Sequence, residues 1–154
     1  MAVIEGFYQR GIDMEKEKFE KENVFGLGAE NNAYAQYFTG VSYLNPLTDP
    51  NETVFLANVS FEPGCRNNWH IHHAENGGGQ ILICTAGEGW YQEDGKEPVS
   101  LRPGMVIAIP ANVKHWHGAK QDSWFSHIAV EVPGVNGKTQ WCEVVSDEEY
   151  GRLE

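Results

Sequence analysis

The sequence predicts an all-β fold, either a sandwich or a barrel of many short strands. From Tyr37 onward, short runs rich in β-branched and aromatic residues recur at regular spacing. The 17 glycines and 7 prolines are spread between these runs as turns. Within Glu52–Phe61, alternate residues form a face that is apolar except for its first member, Thr53. These three features are typical of an all-β domain.

Residues 1–36 have a different pattern and are predicted to form an N-terminal extension that precedes a β domain over residues 37–154. Asp13 could cap a short helix that reaches about Asn23, because Glu and Lys residues follow at helical pair spacing. Gly26 then ends the helix. Its apolar stripe is thin, so we expect tertiary contacts to hold it in place.

The remaining elements follow in chain order. Strands are predicted over Tyr37–Leu44, Glu52–Phe61, Asn68–His72, Gln80–Thr85, Gly89–Glu93, Pro98–Leu101, Met105–Ile109, Lys114–Ala119, Ser123–Val132 and Gln140–Val145. Ser146 and the acidic residues after it predict a short C-terminal helix.

One late strand carries ionisable residues among apolar ones. In Ser123–Val132, His127 and Glu131 share a face with Phe125 and Ala129. If this face is buried, both groups are costly unless they are paired, hydrogen-bonded or bound to a metal. The apolar residues of the opposite face leave the choice of buried face open.

Composition limits the function classes. At 154 residues, the chain is predicted to form one domain with a sizeable core. A net charge of −11 argues against nucleic acid as a partner and means that an anionic substrate would need local positive charge. The apolar runs are too short to span a membrane, and no cationic leader opens the chain, so a cytoplasmic protein is expected. Three cysteines without a CxxC pair indicate neither a disulfide framework nor a thiolate zinc site.

All six histidines lie between positions 70 and 127. Histidine is the commonest metal ligand, so the grouping of all six in one stretch of the chain indicates a role beyond packing. His70 and His72 are two residues apart, and so are His115 and His117. On β-strands, both members of such a pair face the same side. The pattern suits a metal site inside a small barrel.

Two spaced motifs extend this interpretation. Gly64-x5-His70-x-His72, followed by Gln80-x6-Gly87, resembles the first motif of the cupin superfamily, which ends in Glu-x6-Gly in most members. Gly104-x5-Pro110 and then His115 resemble the second motif. The resemblance implies a double-stranded β-helix, or jelly-roll barrel, which the predicted strands independently allow.

The resemblance is more specific at the histidines. Trp69-His70-Ile71-His72, Gln80 and Lys114–Ala119 are similar to single-domain cupins of the carboxymuconolactone decarboxylase-associated type, which include manganese-dependent bacterial hydroxynitrile lyases. This resemblance implies a particular set of metal ligands: His70, His72, Gln80 and His115. It also implies that Ala57, Val59, His127 and Glu131 line a substrate pocket beside the metal, and His117 is expected to face the same pocket.

The sequence departs from these relatives at two positions. Gln80 stands eight residues after His72, where the usual gap is four or five, so Glu75 or His73 could replace it as the fourth ligand. Glu131 stands where the hydroxynitrile lyases carry an amide. A carboxylate there could act as a base or acid, could serve recognition, or could simply bond His127 as a buried pair.

These residues predict one divalent transition metal per chain. Three imidazoles and a neutral amide leave the charge of the ion uncancelled, and the set admits Mn, Ni, Zn, Fe or Co, with manganese favoured by the resemblance. The predicted function is a metal-dependent enzyme with lyase, isomerase or decarboxylase chemistry on a small oxygen-bearing molecule, in which His127 or Glu131 moves a proton. The alternative is a non-catalytic metal- and metabolite-binding module.

A homodimer is also predicted. The N-terminal segment has too thin an apolar face to be stable alone, and the edges of an open sheet need to be covered. We expect the residues around Tyr34–Leu44 to pack against the sheet of a partner.

Overall fold

A computed structural model describes residues 2–153, with the side chains of Glu5, Gln9 and residues 15–153. Two α-helices, α1 (Ala2–Glu22) and α2 (Asp147–Gly151), flank a set of strands, and a 3-10 turn spans Ala35–Tyr37. The strands are β1 (Ala29–Glu30), β2 (Phe38–Thr39), β3 (Ser42–Pro46), β4 (Leu56–Phe61), β5 (Arg66–Asn67), β6 (His70–His73), β7 (Asn76–Gly77), β8 (Gln80–Gly87), β9 (Gly89–Glu93), β10 (Val99–Leu101), β11 (Val106–Ile109), β12 (Lys114–Ala119), β13 (Phe125–Glu131), β14 (Gly134–Val135) and β15 (Lys138–Trp141).

The strands form two antiparallel sheets that enclose the core. One sheet has the order β1-β3-β4-β13-β8-β11, and the other has the order β10-β9-β12-β5-β2, with β6 joined to β12 and β15 joined to β6. Phe61, Leu82, Leu101 and Phe125 lie fully buried between them. This is a jelly-roll barrel, so the predicted fold class is confirmed. No helix among residues 2–153 is long and apolar enough to cross a membrane.

Several predicted strands have different bounds in the structure. The strand predicted over Tyr37–Leu44 is divided into β2 and β3, and the one predicted over Asn68–His72 begins only at His70. The strand predicted over Glu52–Phe61 begins only at Leu56, because the Thr48 hydroxyl donates to Val54 O and accepts from Leu56 N, which holds the preceding residues in a turn. The last strand lies at Lys138–Trp141 rather than at Gln140–Val145. Its register is set by pairing with β6, where Trp141 lies opposite His70.

The N-terminal helix is longer than the sequence pattern predicts. It begins at Ala2, so Asp13 lies inside the helix and the prediction of an N-cap there was wrong. The helix ends at Glu22, shortly before Gly26, which adopts a positive φ of 76°. The Phe19 ring stacks on Trp124 with ring centroids 5.2 Å apart, which fastens the end of α1 to the outside of the first sheet.

Polar side chains add to this attachment. The side chains of Asn23, Asn58, Ser60 and Ser126 form an amide–hydroxyl cluster beneath the end of α1. The Asn23 amide donates to Ser60 Oγ at 3.1 Å, the Asn58 amide donates to Asn23 Oδ1 at 2.9 Å, and the Ser126 hydroxyl donates to Asn58 Oδ1 at 2.8 Å. The cluster lies on the outer face of the same strands that line the interior.

The C-terminal helix begins as the sequence predicts. Ser146 Oγ accepts from Glu149 N, and the Glu149 carboxylate accepts from Ser146 N, so a capping box is present. The Tyr150 hydroxyl then donates to Ala119 O at 2.7 Å. The buried Arg66 guanidinium donates to Val145 O and Asp147. These contacts pin α2 against the second sheet.

A β-bulge decides which side chains of β8 and β13 face inward. The register between the two strands shifts at Ser126/His127, where Ser126 pairs with Ala86 and His127 pairs with Cys84. One extra residue on β8, Thr85, therefore lies between the two pairs. Ser126 joins the outer amide–hydroxyl cluster, and His127 faces the interior. Both faces of β13 are buried, and the face that carries His127 is the one that lines the interior.

Candidate metal centre and cavity

Neighbouring strands bring three histidines together. His70 on β6 is paired directly with His115 on β12, and His72 follows on the same face of β6. One ring nitrogen of each lies within 4.8 Å of the others, which makes this group a candidate metal site. We call these three residues the histidine cluster.

Backbone carbonyls fix the orientation of two of the rings. His70 Nδ1 lies 2.8 Å from Asn68 O, and His115 Nδ1 lies 2.9 Å from Val113 O. Because a carbonyl only accepts, each Nδ1 carries the proton and each Nε2 keeps its lone pair. The Trp141 ring packs on His70 with centroids 4.8 Å apart. Such contacts hold an imidazole in the tautomer and direction that a metal requires.

Unpaired polar atoms mark the same place. Among the side chains that the structure describes, the buried atoms without a hydrogen-bond partner are Asn31 Oδ1, His72 Nε2, Gln80 Oε1, His115 Nε2 and His127 Nδ1. Buried polar atoms nearly always have a partner, so unpaired acceptors gathered at one site indicate a missing ligand. The three imidazoles and the Gln80 amide oxygen are donors that suit a divalent transition metal. The residues therefore fit the ion that the cupin resemblance implies.

Burial keeps the cluster neutral. It lowers the pKa of His115 to about 4 and holds the pKa of His70 well below its ordinary value, assisted by the neighbouring histidines. Burial also lowers the pKa of His72, while Glu131 and Gln80 act in the opposite direction. Neutral imidazoles are the form that binds a metal, so the cluster is prepared for one at neutral pH.

Gln80 reaches the cluster from the other sheet. It lies directly opposite Glu131 in the β8–β13 pairing, and its amide Nε2 donates to Glu131 Oε1 at 2.6 Å. The other two candidates for a fourth ligand lie elsewhere. His73 points to the opposite side of β6, where its Nε2 lies 2.7 Å from Gln140 Oε1, and Glu75 is exposed in the following loop.

That loop explains the long gap between His72 and Gln80. Its residues pair with a later segment as the small β7–β14 ribbon, and Gly77, Gly78 and Gly79 all have positive φ. Only glycine adopts this conformation at no steric cost. The additional residues therefore form a separate ribbon, and Gln80 keeps its place at the start of β8.

A second buried pair lies beside the histidine cluster. His127 Nε2 is 3.1 Å from His117 Nδ1, and Asn67 holds His117 by accepting from its backbone N–H at 2.9 Å. Burial lowers the pKa of His127 to about 3 and places that of His117 well below its ordinary value. His127 and Glu131 are therefore paired with His117 and Gln80, respectively, and not with each other.

All these groups surround a cavity of about 260 Å³. Of the residues predicted for the site, the structure places Ala57, Val59, His70, His72, Gln80, His117, His127 and Glu131 on its wall. His115 completes the histidine cluster from behind His70. Glu131 is the one carboxylate among the described residues that line the cavity.

Sequence reasoning missed the apolar wall and the mouth. Phe38, Leu44, Phe55 and Trp141 form an apolar wall, and Asn31 and Tyr34 reach the cavity from the N-terminal extension. The Tyr37 ring stacks on Trp141 with centroids 4.4 Å apart and nearly parallel planes. No motif spacing connects these residues, because the contacts arise from pairing between segments far apart in the chain. Small polar groups around an apolar space are typical of a site for a small organic ligand.

Comparison with known proteins agrees with this architecture. Residues 57–130 match the model of the Cupin domain family. The chain is 38% identical over 129 residues to an (R)-mandelonitrile lyase of Granulicella tundricola, with 82% of this chain and 95% of that protein covered.

Solved structures show the same relationship. A cupin-like protein from Thermotoga maritima is 39% identical and superposes with a TM-score of 0.71, covering 82% of this chain and 93% of the other. A cupin 2 conserved barrel domain protein from Rhodopseudomonas palustris shares the fold at 15% identity, with a TM-score of 0.60 and coverage of 79% and 78%. The chain belongs to the cupin superfamily.

Proposed function

We propose that this protein is a metal-dependent lyase that cleaves a small α-hydroxynitrile, as the name of its Granulicella relative suggests for that protein. The observation that carries the proposal is the convergence of unpaired acceptor atoms, His72 Nε2, His115 Nε2 and Gln80 Oε1, on one side of an apolar cavity. A divalent ion held by His70, His72, His115 and Gln80 would supply Lewis acidity toward an oxygen of the substrate.

The cavity provides the rest of the binding energy. Its wall of Phe38, Leu44, Phe55 and Trp141 suits the apolar substituent of such a substrate, and its volume of about 260 Å³ limits the size. Ala57 and Val59 are small, so they leave room beside the polar groups. Exclusion of water from this space strengthens every hydrogen bond made inside it.

Proton movement is assigned to the His117–His127 pair. In the proposed reaction, the hydroxyl proton leaves the substrate, its oxygen forms a carbonyl, and the C–CN bond breaks with its electron pair on cyanide, which then takes up a proton. His127 is neutral because burial depresses its pKa, so it can accept the hydroxyl proton of the substrate. His127 Nε2 lies 3.1 Å from His117 Nδ1, so a proton can also be shared between the two imidazoles. The Glu131 carboxylate already accepts from Gln80.

Three finer points belong to the same proposal. Manganese is the first metal to test, because the hydroxynitrile lyases that the histidine motifs resemble depend on it. The chain is proposed to fall in the carboxymuconolactone decarboxylase-associated subgroup on the same motifs. A cytoplasmic homodimer is the proposed state in the cell, with the exposed Tyr34 at the contact between copies.

The experiment is a metal analysis of the purified protein followed by turnover of racemic mandelonitrile, with release of benzaldehyde as the readout. We expect one divalent metal per chain, loss of activity on chelation and recovery with Mn(II). His127→Asn should lower kcat strongly and leave metal content unchanged, because it removes the proton acceptor without touching the histidine cluster.

Two outcomes contradict the proposal in different ways. Absence of stoichiometric metal after expression in supplemented medium would eliminate the metal site. Bound metal without turnover of mandelonitrile, aliphatic cyanohydrins, keto acids or lactones would instead favour the non-catalytic binding module.

A further inference from the structure

The Gln80 side chain has two ends of nearly equal size and opposite character. Its oxygen can bind a cation, whereas its NH2 group only donates and cannot. A half-turn about the last torsion exchanges the two ends with almost no change in shape. The fourth position of the proposed metal site is therefore occupied by a ligand only if something fixes this torsion.

We propose that Glu131 is the positioning residue that fixes it. This inference rests on the proposed metal-dependent function and concerns the ligand set of the same site. Glu131 lies opposite Gln80 in the β8–β13 pairing, and their side chains meet at 2.6 Å. An ionised carboxylate only accepts hydrogen bonds, so the end of the amide that faces it must be the NH2 group. The oxygen is thereby turned to the other side, toward the histidines.

The atoms around Gln80 match this arrangement. Gln80 Oε1 is buried and has no hydrogen-bond partner among the described residues, and neither has His72 Nε2. In the flipped state, the NH2 group would face His72 and could donate to that unpaired nitrogen. The flipped amide would thus occupy the lone pair that a metal needs while offering no ligand of its own. Glu131 acts against this competing state, because flipping would set Gln80 Oε1 against the carboxylate oxygen.

The bulge in β8 contributes to the same geometry. Gln80 and Glu131 lie on the far side of the register shift from Ser126, and their pairing continues without interruption from His127 and Cys84. The two side chains are therefore held opposite each other by regular strand pairing and not by a loop. This rigidity allows one hydrogen bond to set the direction of the ligand.

The test measures Mn(II) affinity by calorimetric titration of metal-free protein, together with the electron paramagnetic resonance spectrum of bound Mn(II). Variants are Glu131→Ala, Gln80→Ala, the double variant and Glu131→Gln. We expect Glu131→Ala to weaken binding about 10- to 100-fold, the usual effect of losing a group that orients a ligand. The double variant should bind within about two-fold of Gln80→Ala, because the effect of Glu131 passes through Gln80.

Glu131→Gln removes the acceptor-only character of this side chain at almost constant size. The substituted amide offers both a donor and an acceptor, so it can bond either end of Gln80, and on the orientation model Mn(II) affinity should fall by at least about three-fold, toward that of Glu131→Ala. Glu93→Gln is the matched control for charge. Glu93 lies opposite His115 in the β9–β12 pairing and bonds Tyr91 and Lys96, but has no bond to Gln80. We expect it to change affinity less than two-fold.

Each outcome decides the proposal. Additive losses in the double variant, or an unchanged Mn(II) affinity in Glu131→Gln, would overturn the positioning role. Unchanged affinity in Glu131→Ala, with an unchanged circular dichroism spectrum, would overturn it while leaving the proposed function intact. Failure of the wild-type protein to bind Mn(II), Ni(II), Zn(II), Fe(II) or Co(II) would overturn both together.

Discussion

The strand β13 carries buried polar residues on both of its faces, and the two faces differ in one respect. On the outer face, Ser126 belongs to the amide–hydroxyl cluster, in which each side-chain nitrogen and oxygen has a hydrogen-bond partner. On the inner face, His127 and the groups near it leave several polar atoms unpaired. Burial is complete for Ser126 and His127 alike, at 0% exposure.

The difference indicates what each face is for. A fully paired polar cluster specifies how two elements dock, because each lost bond leaves a buried group unsatisfied. A cluster with convergent unpaired acceptors costs stability unless a ligand completes it. We therefore interpret the outer cluster as the attachment of α1 and the inner cluster as a binding site. The experiments below test this contrast.

Acidification should affect the inner face most. Burial lowers the pKa of His115 to about 4 and of His127 to about 3, against an ordinary value of 6.5. Below pH 6.5 the unfolded chain takes up protons that the folded chain does not, so stability falls as the pH falls toward the folded-state values. At pH 5 each of these two histidines costs about 2 kcal/mol, and His70 and His117 act in the same direction.

Urea unfolding of the metal-free protein between pH 8 and pH 5 measures this effect. The outer cluster contains no titratable group and contributes nothing to the slope. A flat profile over this range would mean that the buried histidines are more hydrated than the structure indicates, and would weaken the contrast between the faces.

Removal of a ligand should affect metal binding more than stability. We expect His115→Ala to lower metal affinity by at least about a hundred-fold, more than the usual loss of an orienting group. The unfolding free energy of the metal-free protein should fall by about 2 kcal/mol, because the fully buried imidazole leaves a cavity and Val113 O loses its donor. His73→Ala is the matched control, since His73 lies on the opposite side of β6 and bonds Gln140. Equal losses of affinity at both positions would place the cluster on the wrong face of β6.

Disruption of the outer cluster should lower stability and leave metal binding unchanged. Asn58→Leu preserves approximate size but removes three hydrogen bonds, to Asn23 Oδ1, to Gly26 O and from the Ser126 hydroxyl. Gly26 O is left without a partner, whereas Asn23 Oδ1 and the Ser126 hydroxyl keep their bond to each other. We expect a loss of about 2 kcal/mol in unfolding free energy, the usual cost of unsatisfied buried groups. Mn(II) affinity should remain within about two-fold. Weakened metal binding in a folded Asn58→Leu protein would show that the two faces are energetically coupled.

The smallest expected change in unfolding free energy is at the start of α2, which lies outside both the amide–hydroxyl cluster and the histidine cluster. Ser146→Ala removes the capping box of α2 and should cost about 1 kcal/mol, without any change in metal affinity. Thermal unfolding monitored by circular dichroism can measure it. A cost above that of Asn58→Leu would mean that docking of α2 through Tyr150 and Arg66 matters more to stability than the attachment of α1.

Much of this architecture could be predicted from local pattern. Alternation and turn residues gave most strand positions, and the spacing of His70, His72 and His115 gave the histidine cluster, because neighbours on a strand face follow from a period of two. The bounds of the last strand could not be predicted in this way, since its register depends on pairing with β6. Asp13 is predicted as a cap because Asp is a common N-cap residue and Glu and Lys follow it at helical pair spacing, yet the helix extends through it.

The hydrogen-bond partners of His127 and Glu131 were harder to predict than the candidate metal ligands. The sequence left open whether His127 bonds Glu131, and the structure instead pairs each with a residue from another strand, His117 and Gln80. Trp141 and Asn31 join the cavity through contacts that no local signal encodes. Periodicity identifies which residues share a face, but the neighbour across a sheet is decided by topology and register.

The small β7–β14 ribbon has a consequence for how this scaffold can change. It accommodates a long segment between His72 and Gln80 without moving either, because the strand pairing of β8 with β13 holds Gln80 independently of the ribbon. The length of this segment can therefore change during divergence while the chemistry beside it is inherited intact, but its glycines cannot, because a Cβ at Gly77, Gly78 or Gly79 would lie 2.8 Å or less from a neighbouring atom. A protein engineer could replace residues 74–79 by the complete segment of a homologue and expect Gln80 to keep its position.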